Sequence, residues 1–178
     1  GPQKARADWA EDEETITTWW TTTATRVTAK GHTVATNGPD FGIGIVTGRE
    51  SGLWVFDIDS DRRKGKTGDE TLAELEDAYG PLPDTYEVIT GSGGRHLYFA
   101  WPENDSIIVR NDQSGQIGTD LDVRADGGQV LAPPTIHPVY GTAYEREAGS
   151  PDTLAQAPAW LLHLAAEPDA PEPRPERT

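Results

Sequence analysis

The stretch "LWVFDIDSD", residues 53–61, constrains this chain more than any other. It spells an apolar strand that ends in carboxylates. Side chains alternate along a strand, so Leu53, Val55, Asp57 and Asp59 share one face. The two acids then lie roughly 6–7 Å apart at their Cα positions. Like charges held that close at the end of a greasy strand need protons or a cation between them. A second stretch repeats the pattern: in "TDLDVR", Asp120, Asp122 and Arg124 fall on one face, Leu121 and Val123 on the other. If the two strands are neighbours, three or four carboxylates converge. Such a set suits Mg²⁺ or Mn²⁺, which take oxygen ligands and keep waters for a phosphate substrate.

The third element is "TGSGGRHLYF" (90–99). Glycines at 91, 93 and 94 let the backbone approach an anion closely, and Arg95 and His96 follow at once. Ser92, Gly93, Gly94, Arg95 and His96 are therefore read as a phosphate clamp. Acids for metal and a glycine, arginine and histidine element for phosphate describe a metal-dependent nucleotide site. Each piece alone has a plainer reading. A D-x-D pair caps many strands, a G-S-G-G turn closes many hairpins, and one histidine is commonly structural. The combination and its order carry the inference.

Composition sets the frame. The chain has 178 residues, 35% of them hydrophobic and 25% charged, enough for one domain with a real core. Apolar runs fall short of the roughly 20 residues that cross a bilayer, and no signal peptide is visible, so a cytoplasmic protein is expected. The absence of cysteine excludes disulfides and thiolate metal sites. A net charge of −15 argues against nucleic acid when taken alone. The charge is uneven, however. Asp8 to Glu14 holds five acids, and a Pro- and Glu-rich tail follows Ala166. Arg62, Arg63, Lys64 and Lys66 gather just beyond the acid pair; the plain reading is a solvated loop, and it is the candidate DNA contact only if the chain meets nucleic acid. The six tryptophans are read as core residues.

Hydrophobic periodicity predicts helices over 11–24, 68–80 and 160–165, with Asp69 as N-cap and Gly80 just past the end of the second. It predicts strands over 41–48, 52–59, 85–90 and 95–101, a short one at 107–110, and a hairpin of 119–125 with 129–134 about the turn "DGG". This is an α+β domain on a mixed, mostly antiparallel sheet with flanking helices. The expected boundaries are a tag scar (Gly1-Pro2) and extension over 1–10, a catalytic domain over 11–165, and a disordered acidic tail over 166–178.

With these residues in hand, a family resemblance emerges. "GIGIVTGRESGLWVFDIDSD", "TYEVITGSGGRHLYF" and "LDVRADGGQVLAPPTIHPVYGTAYE" resemble the bifunctional primase–polymerase domain. This is the prim-pol branch of the archaeo-eukaryotic primase superfamily, found in phage and plasmid replication proteins. The resemblance spans about residues 11–146. It implies an RRM-like catalytic core and a template-dependent nucleotidyltransferase acting on single-stranded DNA with NTP or dNTP. Asp57, Asp59 and Asp122 would hold two Mg²⁺ or Mn²⁺ ions, and His96 would meet the nucleotide's phosphates. Arg124 and His137 are further nucleotide-binding candidates. The resemblance also implies an excised piece of a larger protein that continues into a helicase domain.

Rival readings fare less well. A haloacid-dehalogenase-type phosphatase also ends an apolar strand in D-x-D, but the segment "SDRRKGK" does not continue its motif. An EF-hand from Asp57 fails at Arg62 and Gly68, and a P-loop at "GKT" fails at Ser60. "GIGIVTG" has the wrong spacing for a dinucleotide fingerprint. A non-catalytic nucleic-acid-binding domain would keep the sheet without needing all three acids.

Overall fold

A computed structural model of the chain describes residues 12–21, 25–27, 33–35, 42–104, 106–111 and 115–166. The chain divides into two compact units, Gly1–Ile43 and Gly44–Thr178. In the first, helix α1 (Glu13–Thr21) starts where Asp12 Oδ1 accepts the Thr15 amide at 2.7 Å. That cap places the helix start inside the 11–24 span expected from periodicity. Strands β1 (Thr25–Val27) and β2 (Thr33–Ala35) pair antiparallel.

The second unit carries the acids. Its main sheet has five antiparallel strands: β4 (Leu53–Ile58), β5 (Tyr86–Ile89), β6 (Arg95–Ala100), β7 (Leu121–Arg124) and β9 (Glu145–Ala148). Their spatial order is β7-β4-β6-β5-β9. The shorter strands β3 (Ile43–Val46) and β8 (Gln129–Ala132) form a separate pair. The α+β class with antiparallel sheets is as the sequence predicts.

The alternation of β4 explains how the sheet is layered. Trp54, Phe56 and Ile58 point to one side, with Leu97, Phe99, Leu121 and Val123 from the neighbouring strands. Helices α2 (Gly68–Tyr79) and α3 (Ala159–Ala165) cover that side through Leu72, Leu161 and Ala165. Burying each large apolar side chain here contributes about 1.5–3 kcal/mol. Val55, Tyr98, Tyr86 and Val88 point the other way, where Val130 and Tyr144 pack on them. Asp57, in step with Val55, therefore emerges on the face away from the helices.

Three local expectations change. The 119–125 and 129–134 segments do not form a hairpin: β7 pairs with β4, while β8 pairs with β3. The turn after β7 redirects the chain, with Gly128 donating to the Ala125 carbonyl at 2.8 Å and the Thr47 amide to Gly128 at 3.1 Å. Residues 107–110 make only an isolated bridge, between Val109 and Ala166. Asp69 is not the N-cap of α2. That position is Thr67, and the helix begins at Gly68. A Cβ on Gly68 would lie 2.7 Å from the carbonyl oxygens of both Asp59 and Asp120, so the helix start is wedged between two acid-bearing chain segments. Side chains from those segments satisfy its amides: Asp120 Oδ2 accepts from Thr67 at 2.9 Å, and Ser60 Oγ from Asp69 at 3.0 Å. At the other end Gly80 (φ 102°) terminates α2 as expected.

The turn over 91–94 is equally constrained. A Cβ on Gly94 would collide with the Ile58 carbonyl oxygen and sit 3.3 Å from the Ser60 amide nitrogen. Gly94→Ala should therefore lower stability by about 1–3 kcal/mol through overpacking against β4. Chemical denaturation measures this, and an unchanged midpoint would contradict the close packing.

Candidate active site

Register builds the site. In the β4–β7 pairing Asp57 faces Asp122, and in the β4–β6 pairing Asp57 faces His96. One row across three strands therefore reads Asp122, Asp57, His96, all on the face away from the helices. Asp59 leaves the end of β4 on the same side, with its amide held by the Asp120 carbonyl at 2.9 Å. These residues come from three separate segments of the chain, around 57, 96 and 122, brought together by strand pairing.

A cleft of about 190 Å³ opens over Asp57 and His96, with Asp122 beside them in the row. Its floor is Asp57, Asp59 and His96, and one wall is Thr90 and Ser92, whose hydroxyls lie 3.0 Å apart. Lys64, Lys66 and Asp61 close a second side, and His137 and Tyr144 a third. The two rings of that third side stack at 6.2 Å and 11°. His137 Nδ1 accepts the amides of Val139 and Tyr140 at 3.1 and 3.3 Å, which leaves the ring proton on Nε2.

The row is electrostatically loaded. His96 Nε2 is 3.4 Å from Asp57 Oδ1. Arg124 donates to Asp57 Oδ2 from Nε at 3.0 Å and from Nη2 at 2.8 Å, and Nη2 also reaches Asp122 Oδ2 at 3.2 Å. Burial pushes the Asp57 carboxyl up, but the hydrogen bonds and charges of His96 and Arg124 more than reverse this. It lies below the usual carboxylate range. Asp122 goes the other way: burial, with the negative charges of Asp57 and Asp59, outweighs Arg124 and raises it. Lys66 bridges Asp120 (2.7 Å) and Asp59 (3.4 Å).

Most of the expected site residues meet here. Asp57, Asp59, Asp122, His96, Ser92, Arg124 and His137 lie in or beside the cleft. Gly93 (φ 97°) and Gly94 form the turn that carries Ser92, and Gly94 fits against β4. Arg95 is not brought to the cleft. The strand alternation turns it to the helix side, where it pairs with Asp69 at 2.7 Å and Glu87 at 3.1 Å. Asp120, at a positive φ of 61°, leaves the face of Asp122 and serves Lys66 and Thr67 instead. Of the basic loop, a 3₁₀ turn over Arg62–Lys64, Lys64 and Lys66 line the cleft. Arg63 stacks on Tyr140 at 5.2 Å, and the Arg62 side chain lies outside the described residues.

Asp61, Thr90, Tyr140 and Tyr144 went unnoticed in the sequence. Asp61 is buried, accepts the Tyr140 hydroxyl and the Arg63 amide, and so pins the basic loop beside the cleft. Its signal was present, since "DIDSD" continues the alternation by one more acid. The tyrosines had no signal beyond their distance from the acids in the chain.

The donor set fits a divalent cation chemically: three carboxylates on one face of the sheet, one of them raised by burial and by its neighbours' negative charge. Among the described residues no group of three acidic or histidine side chains stands ready as a ligand set. Arg124 engages Oδ2 of Asp57 and of Asp122, and Lys66 lies 3.4 Å from Asp59 Oδ2.

The two neighbouring acids should respond oppositely to neutralisation. Folding favours the charge on Asp57, so its contribution is full at neutral pH and is lost as pH falls through its lowered value. Folding disfavours the charge on Asp122, so stability drops as pH rises from the usual carboxylate range through its raised value. In metal-free buffer at pH 7, Asp57→Asn should cost about 2 kcal/mol, as loss of charged hydrogen bonds does. Asp122→Asn should raise the melting temperature. Thermal denaturation of both variants checks this, and equal signs would contradict it.

A comparison with protein families matches residues 3–160 to the model described as bifunctional DNA primase/polymerase, N-terminal. Searches of curated proteins and of solved structures returned no match. The match spans most of the chain and includes every strand of the acid-bearing sheet. The chain belongs to the Prim-Pol family of bifunctional DNA primase/polymerase N-terminal domains.

Proposed function

We propose that this domain is a template-dependent nucleotidyltransferase, a DNA primase and polymerase of a phage or plasmid replication system. The observation that carries the reading is the in-register row of Asp122, Asp57 and His96, with Asp57 and His96 lining a polar cleft. Family membership supports primase and polymerase chemistry. Convergence of the acids favours catalysis over nucleic-acid binding alone, and the family displaces the phosphatase reading.

Asp57, Asp59 and Asp122 would hold two Mg²⁺ or Mn²⁺ ions. Such ions, when bound, acidify an attacking hydroxyl and neutralise charge on phosphate oxygens. The chain's own groups do the rest. Ser92 and Thr90 present hydroxyl donors to the anionic oxygens of an NTP or dNTP. His96, fixed by burial and by Asp57, presents its imidazole from the floor. Lys64 offers a cation at the rim. The stacked pair His137 and Tyr144 gives the cleft a rigid wall against which a nucleotide can be oriented. Arg63, held over Tyr140, and its neighbours in the 62–66 loop would meet the phosphates of a single-stranded DNA template. A helicase domain in the same replication protein would supply that strand. No helix among the described residues is long and apolar enough to cross a membrane.

The test is incubation with single-stranded template, labelled nucleotides and Mn²⁺, with and without primer. Wild-type protein should make product, and Asp57→Ala should reduce synthesis by on the order of a thousandfold or more. A gel shift should show template binding retained in that variant. Wild-type levels of synthesis by Asp57→Ala, or phosphate release from small phosphoesters in place of polymer, would refute the assignment.

A further inference from the structure

Arg124 stands in an unusual position for a phosphate-binding arginine. Its side chain is 20% exposed, and its guanidinium is engaged with the acids. Asp57 Oδ2 accepts both Nε and Nη2, and Nη2 is shared with Asp122 Oδ2. Asp57 Oδ1 faces His96. Lys66 treats the outer acids similarly, lying between Asp120 and Asp59. One oxygen of each acid, Oδ2 of Asp57, Asp122 and Asp59, is thus already matched by a side-chain cation. This has a clear physical origin. Carboxylates directly opposite on paired strands repel, and a cation between them cancels that cost. A divalent ion bonds carboxylate oxygen at about 2.0–2.1 Å for Mg²⁺, which leaves no room for a guanidinium on the same lone pairs.

We propose that Arg124 is an exchangeable internal counter-cation: it holds Asp57 and Asp122 together in the metal-free protein, and a divalent ion binds there by displacing it. The inference rests on the metal-site reading above and deepens it. Two consequences follow from the geometry. Arg124 lowers the metal affinity below that of the bare acids. Once displaced, its guanidinium remains tethered on β7 beside the row, where its planar fork suits the phosphate oxygens of the substrate. One residue then stabilises the empty site and recognises the loaded one.

Calorimetric titration with Mn²⁺ alone, at pH 8 and without nucleotide, tests this on wild type and Arg124→Met. The variant should bind Mn²⁺ tighter by on the order of tenfold, having lost its competitor. Its metal-free form should also melt lower. Equal or weaker Mn²⁺ affinity overturns the proposal. A second readout uses wild-type protein. Solvent exchange of the Arg124 Nε–H, followed by NMR and assigned with Arg124→Lys, should accelerate at saturating Mg²⁺, and an unchanged rate overturns the proposal. Asp57→Ala separates this inference from its premise. If Asp57→Ala binds Mn²⁺ as wild type does, the metal sits elsewhere and both readings fall. If Asp57→Ala loses Mn²⁺ while Arg124→Met matches wild type, the exchange proposal alone falls.

Discussion

The structure depends on a repulsion held in place by strand pairing. Strand β4 lies between β6 and β7, and its register sets Asp57 directly opposite Asp122. Carboxylates in that relation destabilise a sheet. The fold tolerates it because a large apolar layer lies behind the row. Trp54, Phe56 and Ile58 are fully buried against the helices, and they fix β4 in one register. A slip of one residue would turn Asp57 into that layer and Phe56 out to solvent, so the core enforces the acid row.

The remaining charge is handled locally. Arg124 and His96 attend Asp57, and Lys66 attends Asp59 and Asp120. The start of α2 performs a second task. Gly68 lets its backbone approach the carbonyls of both Asp59 and Asp120, and Asp120 and Ser60 accept its first amides. The helix N-terminus thereby ties the exits of the two acid segments together. Asp61 and Tyr140 then fold the basic loop against the cleft edge. Scaffold and site meet at glycines 68 and 94, where the backbone packs directly against the segments that carry the acids.

Much of this was legible in the sequence, for identifiable reasons. The acids, His96 and the sides they share follow from strand alternation, a local rule that needs no tertiary information. The same rule, applied along β6, separates Arg95 from His96 and turns it toward Asp69 and Glu87, which is why it drops out of the phosphate clamp. What failed was non-local. The "DGG" turn looks like a hairpin turn, but the edge of β4 is a better partner for β7 than β8 is, and nothing near the turn announces that. Asp120 shares parity with Asp122, yet its positive φ breaks the alternation one residue before β7 begins. The tyrosines at 140 and 144 reach the cleft through loops whose paths are set by tertiary packing. The engagement of Arg124 by Asp57 needed the β4–β7 register, which spacing cannot supply.

The central claim is that Asp57, Asp59 and Asp122 gather divalent ions under a nucleotide. Anomalous diffraction from crystals grown with Mn²⁺ and a non-hydrolysable nucleoside triphosphate tests it most directly. Manganese peaks should fall within coordination distance of these three carboxylates, with the triphosphate against Ser92 and His96. Manganese found only at other acids, with the row still closed by Arg124 and the cleft free of nucleotide, would contradict the account.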